Sequence, residues 1–281
     1  WLEITSTFRV FLTMRHTLPK SPQFYVTAPQ DCPYLAGQVE RKLFTALYGS
    51  NSRRLNNSLS KQGFRRSQNV LYRPSCSNCN ACMSARISSM KFEPSKSQKR
   101  ILLKNKDIIR VVNPPLATDS QFDLFKRYIN IRHPNGGMSD MDADDFTAMI
   151  EETNVDSKII EYYANKNGTR KLISFSLVDI LDDGISMVYS VFDPDTKDRS
   201  LGSYMIIDHN KLALELNLNF VYLGYWVKGS SKMDYKKRFS PLEVFTDDQW
   251  ICASKVSHDK LNTENRSTQK RGVPIYLPSD Q

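Results

Sequence analysis

Between residues 157 and 226 the chain alternates short apolar runs with turn residues in an order that few architectures accept. Runs at Ser157–Ala164, Leu172–Leu181 and Ile185–Phe192 are separated by Asn167-Gly168 and by Asp182-Asp183-Gly184. Strand-forming runs bounded by Asn, Asp and Gly read as successive strands. Leu201–Leu216 then carries helical spacing, and Phe220–Trp226 returns to an apolar strand. Two helices precede the run. Asp119–Ile131 places Phe122, Phe125, Tyr128 and Ile129 on one face, and Asp142–Glu152 follows the turn Pro134-Asn135-Gly136-Gly137. Helices, strands, a helix and a final strand predict an α/β (α+β) half built around a mixed sheet.

The first half reads differently. Gln23–Thr27 is extended, Val39–Tyr48 is a strand or short helix, and Ser52–Gly63 is helical with Leu55 and Leu59 on one face. Val70-Leu71-Tyr72 and Ala85-Arg86-Ile87 are strand candidates, Ser95–Lys106 is a Lys-rich helix, and Pro114-Pro115 marks a boundary. The expected organisation is an extension at 1–20, a basic cysteine-containing domain at 21–113, a second domain at 114–255 and a polar tail at 256–281. Residues 1–13, which begin with Trp1 and precede Met14, are given no function.

Charge divides at the same place. Residues 1–113 hold 19 Lys+Arg and 5 Asp+Glu, a balance of +14, whereas residues 114–281 hold 20 and 25, a balance of −5. A basic half beside a mildly acidic one points to a polyanion, with nucleic acid the usual candidate; the alternative is lysine that only keeps the chain in solution. No apolar run approaches the roughly 18–20 residues that span a bilayer, so no membrane partner is expected.

Five cysteines, three of them in Cys76-x-x-Cys79-x-x-Cys82, argue against a secreted disulfide framework and for a reducing cytoplasm. With Cys32 as a fourth ligand, the run suits zinc or an iron–sulfur cluster; buried unliganded thiols are the alternative. Just upstream, Gly63–Pro74 holds Arg65, Arg66 and Arg73 with Phe64 and Tyr72, suited to phosphate or carboxylate, or to a solvated strand. Between a strand and a helix, Asp193 opens the stretch that reaches Arg199-x-x-Gly202-x-Tyr204. Finally, Tyr222-Leu223-Gly224-Tyr225-Trp226-Val227-Lys228 leads through Lys232 into a basic aromatic helix around Lys236. Aromatics interleaved with lysines suit an unpaired nucleic-acid end.

These segments resemble, in order, the bacterial aspartate/glutamate leucyltransferases of the arginyl-tRNA–protein transferase family. The blocks that carry the resemblance are Cys32-Pro33-Tyr34-Leu35, G-F-R-R-S-Q-N-V-L-Y-R-P with its C-x-x-C-x-x-C, F-D-P-D…R-S-L-G-S-Y, and Y-L-G-Y-W-V-K-G-S-x-K-M-x-Y-K. They run from about Phe24 to Leu242. The resemblance implies transfer of leucine from leucyl-tRNA to the N-terminal α-amine of proteins beginning with Asp or Glu, which feeds the N-end rule degradation pathway. It also implies a GNAT-like C-terminal fold in which aminoacyl-tRNA takes the place of acetyl-coenzyme A. The R-x-x-G loop of that superfamily ends in a small residue where this chain has Tyr204. Eukaryotic relatives carry a cysteine-bound iron–sulfur cluster on a different spacing.

An aminoacyl ester is already activated, so the chemistry requires no cofactor. An α-amine of pKa ~7.7–8.0 is partly neutral at cellular pH. Positioning and oxyanion stabilisation then carry the rate, and no nucleophile motif is needed. His16, His133, His209 and His258 show no paired spacing. The roles expected are Arg65, Arg66 and Arg73 for the acidic side chain, with RNA phosphate as competitor. Tyr222 and Tyr225 would stand at the sheet opening, Tyr225 as proton donor or packing residue. Asp193 would orient the amine or cap a turn. Arg199, Gly202, Trp226, Lys228, Lys232 and Lys236 would meet tRNA. An arginyltransferase of the same fold, a metal-bearing RNA-binding module and a small-molecule acetyltransferase are the competing readings; oligomeric state is not legible.

Overall fold

A computed structural model describes residues 21–256, apart from His133, Asn135, Asn167 and the side chain of Lys166. The extension at 1–20, the tail from 257, and the turn residues Asn135 and Asn167 lie outside the described residues.

The first half contributes β1 (Tyr25–Val26), β2 (Gln30–Asp31), β3 (Val39–Glu40), β4 (Lys42–Ala46), α1 (Ser52–Lys61), β5 (Arg65–Ser67), β6 (Val70–Pro74), β7 (Cys82–Ser88), α2 (Lys96–Lys104) and β8 (Ile109–Asn113). The second contributes α3 (Asp119–Arg132), α4 (Ala143–Glu151), β9 (Ser157–Lys166), β10 (Thr169–Ile180), β11 (Gly184–Phe192), α5 (Leu201–Glu215), β12 (Phe220–Val227), β13 (Leu242–Thr246) and β14 (Gln249–Cys252). Side chains start three of the helices: Ser95 and Gln98 form a capping box on α2, Thr118 and Gln121 one on α3, and Asp142 and Asp145 one on α4.

An eight-stranded mixed sheet in the order β14-β13-β7-β12-β11-β10-β9-β8 dominates the molecule, and β1-β4-β6-β5 form a small second sheet. Within the large sheet β11 and β12 are parallel and the other neighbours antiparallel. Alternation along the strands supplies two apolar faces. On one, Val221, Leu223 and Ile185 pack with Met205 and Ile206 of α5 and with Ile101 and Leu102 of α2. On the other, Phe175, Leu177 and Val191 pack with Leu124 and Phe125 of α3 and Phe146 and Ile150 of α4. A separate cluster of Leu47, Leu55, Leu59, Phe64 and Leu71 joins α1 to the small sheet.

The mixed sheet and the succession of elements in the second half match the sequence reading. The boundary at 113 does not coincide with a structural division. β7, α2 and β8 come from the first half, yet both strands pair into the large sheet and α2 packs on α5. The β7 pairings join residues more than a hundred positions apart, such as Arg86 with Tyr222, and β8 pairs Ile109 with Tyr163; local periodicity carries no trace of either. The segment after β12 is also not a basic aromatic helix. It is a single 3-10 turn, Asp234–Arg238, because Lys236 and Phe239, three residues apart, both point inward.

Candidate acyl-transfer site

The β11/β12 ladder begins with a close approach. A Cβ on Gly184 would lie 2.5 Å from the Phe220 carbonyl oxygen, so the residue opening β11 must be small. Pairing continues through Ile185↔Val221 and Ser186↔Tyr222 and stops, although β11 runs on to Phe192 and β12 to Val227. Two irregularities draw the strands apart. Along β10, Leu177 faces Tyr189 and Val178 faces Met187, leaving Val188 as a bulge. Along β7, the register of β12 breaks between Tyr222 and Tyr225, where Gly224 adopts φ +77°. Bulges bend a strand and re-aim its groups. Beyond Ser186 the facing edges therefore leave the mutual ladder, and their amides and carbonyls are offered to whatever enters.

The chain beyond each strand frames that opening. β11 leads through Lys197–Arg199 and Ser200 (φ +52°) to the N-terminus of α5, where backbone N–H groups favour an anion. Gly202 is packed there: a Cβ would come within 3.3 Å of the Phe192 ring, which meets Tyr128 of α3 edge-on at 4.9 Å. β12 leads to the 3-10 turn, from which Lys236 reaches back and donates to the Tyr225 carbonyl. Burial, then Arg65, bring the Lys236 ammonium down to about 7. Lys236, expected on the surface against tRNA, is thus a buried residue of the site.

Arg65 enters from the small sheet. Its guanidinium lies 4.9 Å over the Tyr222 ring and donates from Nη2 to the Ala85 carbonyl at 3.0 Å. Arg66, next in sequence, points elsewhere. Nε and Nη2 bind the two carboxylate oxygens of Asp179 at 2.6 and 2.7 Å, Nη2 also meets Ser157 Oγ, and the pair is buried. It joins the small sheet to β10 and has no group to spare for a substrate. Arg73 packs 4.9 Å over the Phe64 ring, half-buried on β6 of the small sheet.

Other sequence candidates are also engaged in structure. The Tyr225 hydroxyl donates to the Tyr72 carbonyl at 2.8 Å, with the Gly63 carbonyl at 3.1 Å. Burial raises it well above the usual phenol range, which suits a tether and not a proton relay. The Tyr222 hydroxyl donates to Asp183 at 2.9 Å and accepts from Arg86. Asp193 is held by Lys171 at 3.0 Å and Arg127 at 3.2 Å. Burial opposes its charge, but Lys171, the Asp195 amide and Arg127 keep its carboxyl below the usual range. It therefore closes the corner after β11. Arg199 binds both oxygens of Asp107 at 2.6 Å, and Trp226 is buried among the α5-facing apolar residues with Lys237 5.0 Å over its ring. Trp226 is buried and the Arg199 charge is paired, so neither stands open to RNA as expected. Lys232 is exposed and Lys228 half-buried, with its amide on the Ala81 carbonyl.

The cysteines line a separate cleft on the Tyr225 side of β12. Its empty volume, open mouth included, is about 600 Å³, and Cys32, Cys76, Cys79 and Cys82 share its wall with Tyr34, Glu40, Lys42 and Tyr72. The four cysteines grouped in the sequence reading thus stand along one cleft. Among the described residues, however, no three His, Cys, Asp or Glu side chains are grouped as a metal ion requires. Burial, then the Cys79, Cys32 and Cys76 thiols, push the Cys82 thiol up to about 12. Zinc or an iron–sulfur cluster would require these thiols to stand closer together than they do.

A mixed sheet that splays after one parallel pair, with a bulge at the opening and a helix N-terminus behind it, is an α/β fold with a site at the centre of its sheet. The profile described as "Arginine-tRNA-protein transferase, N terminus" matches residues 30–100, and that described as "Arginine-tRNA-protein transferase, C terminus" matches 120–246. The chain is 60% identical over 249 residues to an aspartate/glutamate leucyltransferase of Ruegeria pomeroyi, covering 88% of this chain and 90% of that one. It is 51% identical over 282 residues to one from Dinoroseobacter shibae, covering 95% and 99%. Among solved structures, FemX is similar at TM-score 0.42 and 10% identity, covering 62% of this chain and 60% of that one. The chain belongs to the aspartate/glutamate leucyltransferase family.

Proposed function

We propose that the chain transfers leucine from the 3′ end of leucyl-tRNA to the N-terminal α-amine of proteins that begin with Asp or Glu. The observation that carries this reading is the opening between β11 and β12 in a member of this family. The neutral amine attacks the leucyl carbonyl, a C–N bond forms and the ester C–O bond breaks. The amine proton ends on the ribose oxygen that leaves. Backbone amides released at the Val188 bulge are suited to the developing oxyanion, and the start of α5 to the terminal phosphate. The product bears an N-terminal leucine and enters the N-end rule degradation pathway. The reaction belongs in the cytoplasm, where charged tRNA is made. Among the described residues no helix is long and apolar enough to cross a membrane.

Incubating the chain with a mixed charged-tRNA pool and peptides starting with Asp or Glu tests the proposal. Leucine is the amino acid expected on the peptide. Transfer of arginine would replace the reading by an arginyltransferase, and dependence on acetyl-coenzyme A would replace it by an acetyltransferase.

A further inference from the structure

The register break in β12 leaves a small hole in the sheet, and two cations meet there without an anion. Opposite the break stands Ala85, whose carbonyl accepts from Arg65. On the other side, Lys236 Nζ lies on the Tyr225 carbonyl and 3.9 Å from where a Cβ on Gly224 would stand. Among the described residues no other atom outside the chain neighbours comes within 4 Å of that point. Gly224 at φ +77° resists replacement by a larger residue, so the space stays open.

Beyond the Ala85 and Tyr225 carbonyls, which are already occupied, the side-chain groups here keep donors without an acceptor. Arg65 and Lys236 are each 4% exposed. Arg65 Nε and Nη1 and Ser84 Oγ, the last opposite Tyr225 in the ladder, are buried without a hydrogen-bond partner. The Lys236 ammonium has three protons for the Tyr225 carbonyl. Neither cation makes a salt bridge among the described residues. The groups that act on them are Tyr222, Tyr225, Tyr72 and Arg86 for Arg65, and Arg65 for Lys236. Arg86 itself is paired with Glu243 at 2.8 Å. Buried charges are ordinarily paired, because an uncompensated one loses its hydration for nothing. Two adjacent buried cations with idle donors form a binding site for an anion.

We infer that Arg65, Lys236 and Ser84 form the pocket that takes the side-chain carboxylate of the acceptor's N-terminal Asp or Glu. This rests on the leucyl-transfer reading above and names the residues that set its acceptor specificity. A carboxylate suits the fork of Arg65, and the hole beside Gly224 calls for a small planar anion. Two other anions of the same reaction compete: an RNA phosphate and the oxyanion formed at the leucyl carbonyl. They are separable by kinetics.

The test compares leucine transfer to peptides that differ only in starting with Asp or Asn, with wild type and Lys236→Met. Wild type is expected to favour Asp. Lys236→Met is expected to lower the Asp/Asn ratio of kcat/KM by roughly tenfold or more, through the KM for the Asp peptide and with the KM for leucyl-tRNA unchanged. An unchanged ratio with kcat reduced for both peptides would assign the cations to the oxyanion, and a raised leucyl-tRNA KM would assign them to phosphate; either overturns the inference. A second measurement needs no variant: without tRNA, the Asp peptide should raise the wild-type melting temperature more than the Asn peptide, and equal shifts would overturn the inference. Wild type that transfers leucine to no peptide would instead defeat the function reading itself.

Discussion

Replacing Asp179 by Ala is expected to lower the stability of the chain by roughly 3–5 kcal/mol, enough to threaten a domain of ordinary stability. The carboxylate accepts from Arg66 Nε at 2.6 Å, from Arg66 Nη2 at 2.7 Å and from Ser157 Oγ at 2.8 Å, with Asn56 Nδ2 at 3.5 Å. Removing it leaves a guanidinium buried with little beyond the Gln68 carbonyl and Ser157 to receive its protons. Converting the pair to Arg66→Met/Asp179→Leu removes both charges together, so the double variant is expected to recover most of the loss. Urea unfolding of the two single variants and the double variant checks this. A single-variant loss under about 1 kcal/mol would contradict a buried, structural pair.

Lys236→Met is expected to act in the opposite direction and stabilise the chain. Burial, then Arg65, hold the folded-state lysine at about 7. In the unfolded chain it titrates near its ordinary ~10.4. Between those values the folded state binds fewer protons than the unfolded one, so wild-type stability from this group rises with pH. Below pH 7 the penalty of the buried charge is present in full, on the order of a few kcal/mol, and above the unfolded value it is gone. The Met variant lacks that penalty. Its advantage in urea unfolding should be largest near pH 6.5 and shrink by pH 9. A variant less stable than wild type at pH 6.5, or a difference independent of pH, would contradict an unpaired buried ammonium. Gain in stability together with loss of discrimination is the mark of a group kept for function.

What could be read from the sequence was local. The hairpins after Asn165 and Leu181 and the helix from Leu201 have short-range signatures, and they appear where expected. Spacing groups Cys76, Cys79 and Cys82, but Cys32 joins them only along a wall built by β3, β6 and β12 together. Arg65 and Arg66 are indistinguishable as letters. Alternation along β5 sends one to the Gly224 hole and the other to Asp179, over a hundred residues away. Lys236 sits in a basic run with Lys232, Lys237 and Arg238, and composition alone marks it as surface. Only the break in β12 explains why it turns inward. Arg199 fits the phosphate-loop pattern, yet its charge is committed to Asp107 from the segment after α2, a pairing no motif encodes.

The central claim is that acyl transfer takes place where β11 and β12 part. A crystal structure of the chain with 3′-deoxy-3′-leucylamido-adenosine, a stable amide in place of the reactive ester, tests it most directly. The account predicts the leucyl carbonyl between the two strands beyond Ser186 and Tyr222, near the Val188 bulge, with Lys236 and Arg65 beyond it on the side where the acceptor enters. An analogue bound in the cysteine-lined cleft, with the β11/β12 opening unchanged, would contradict it.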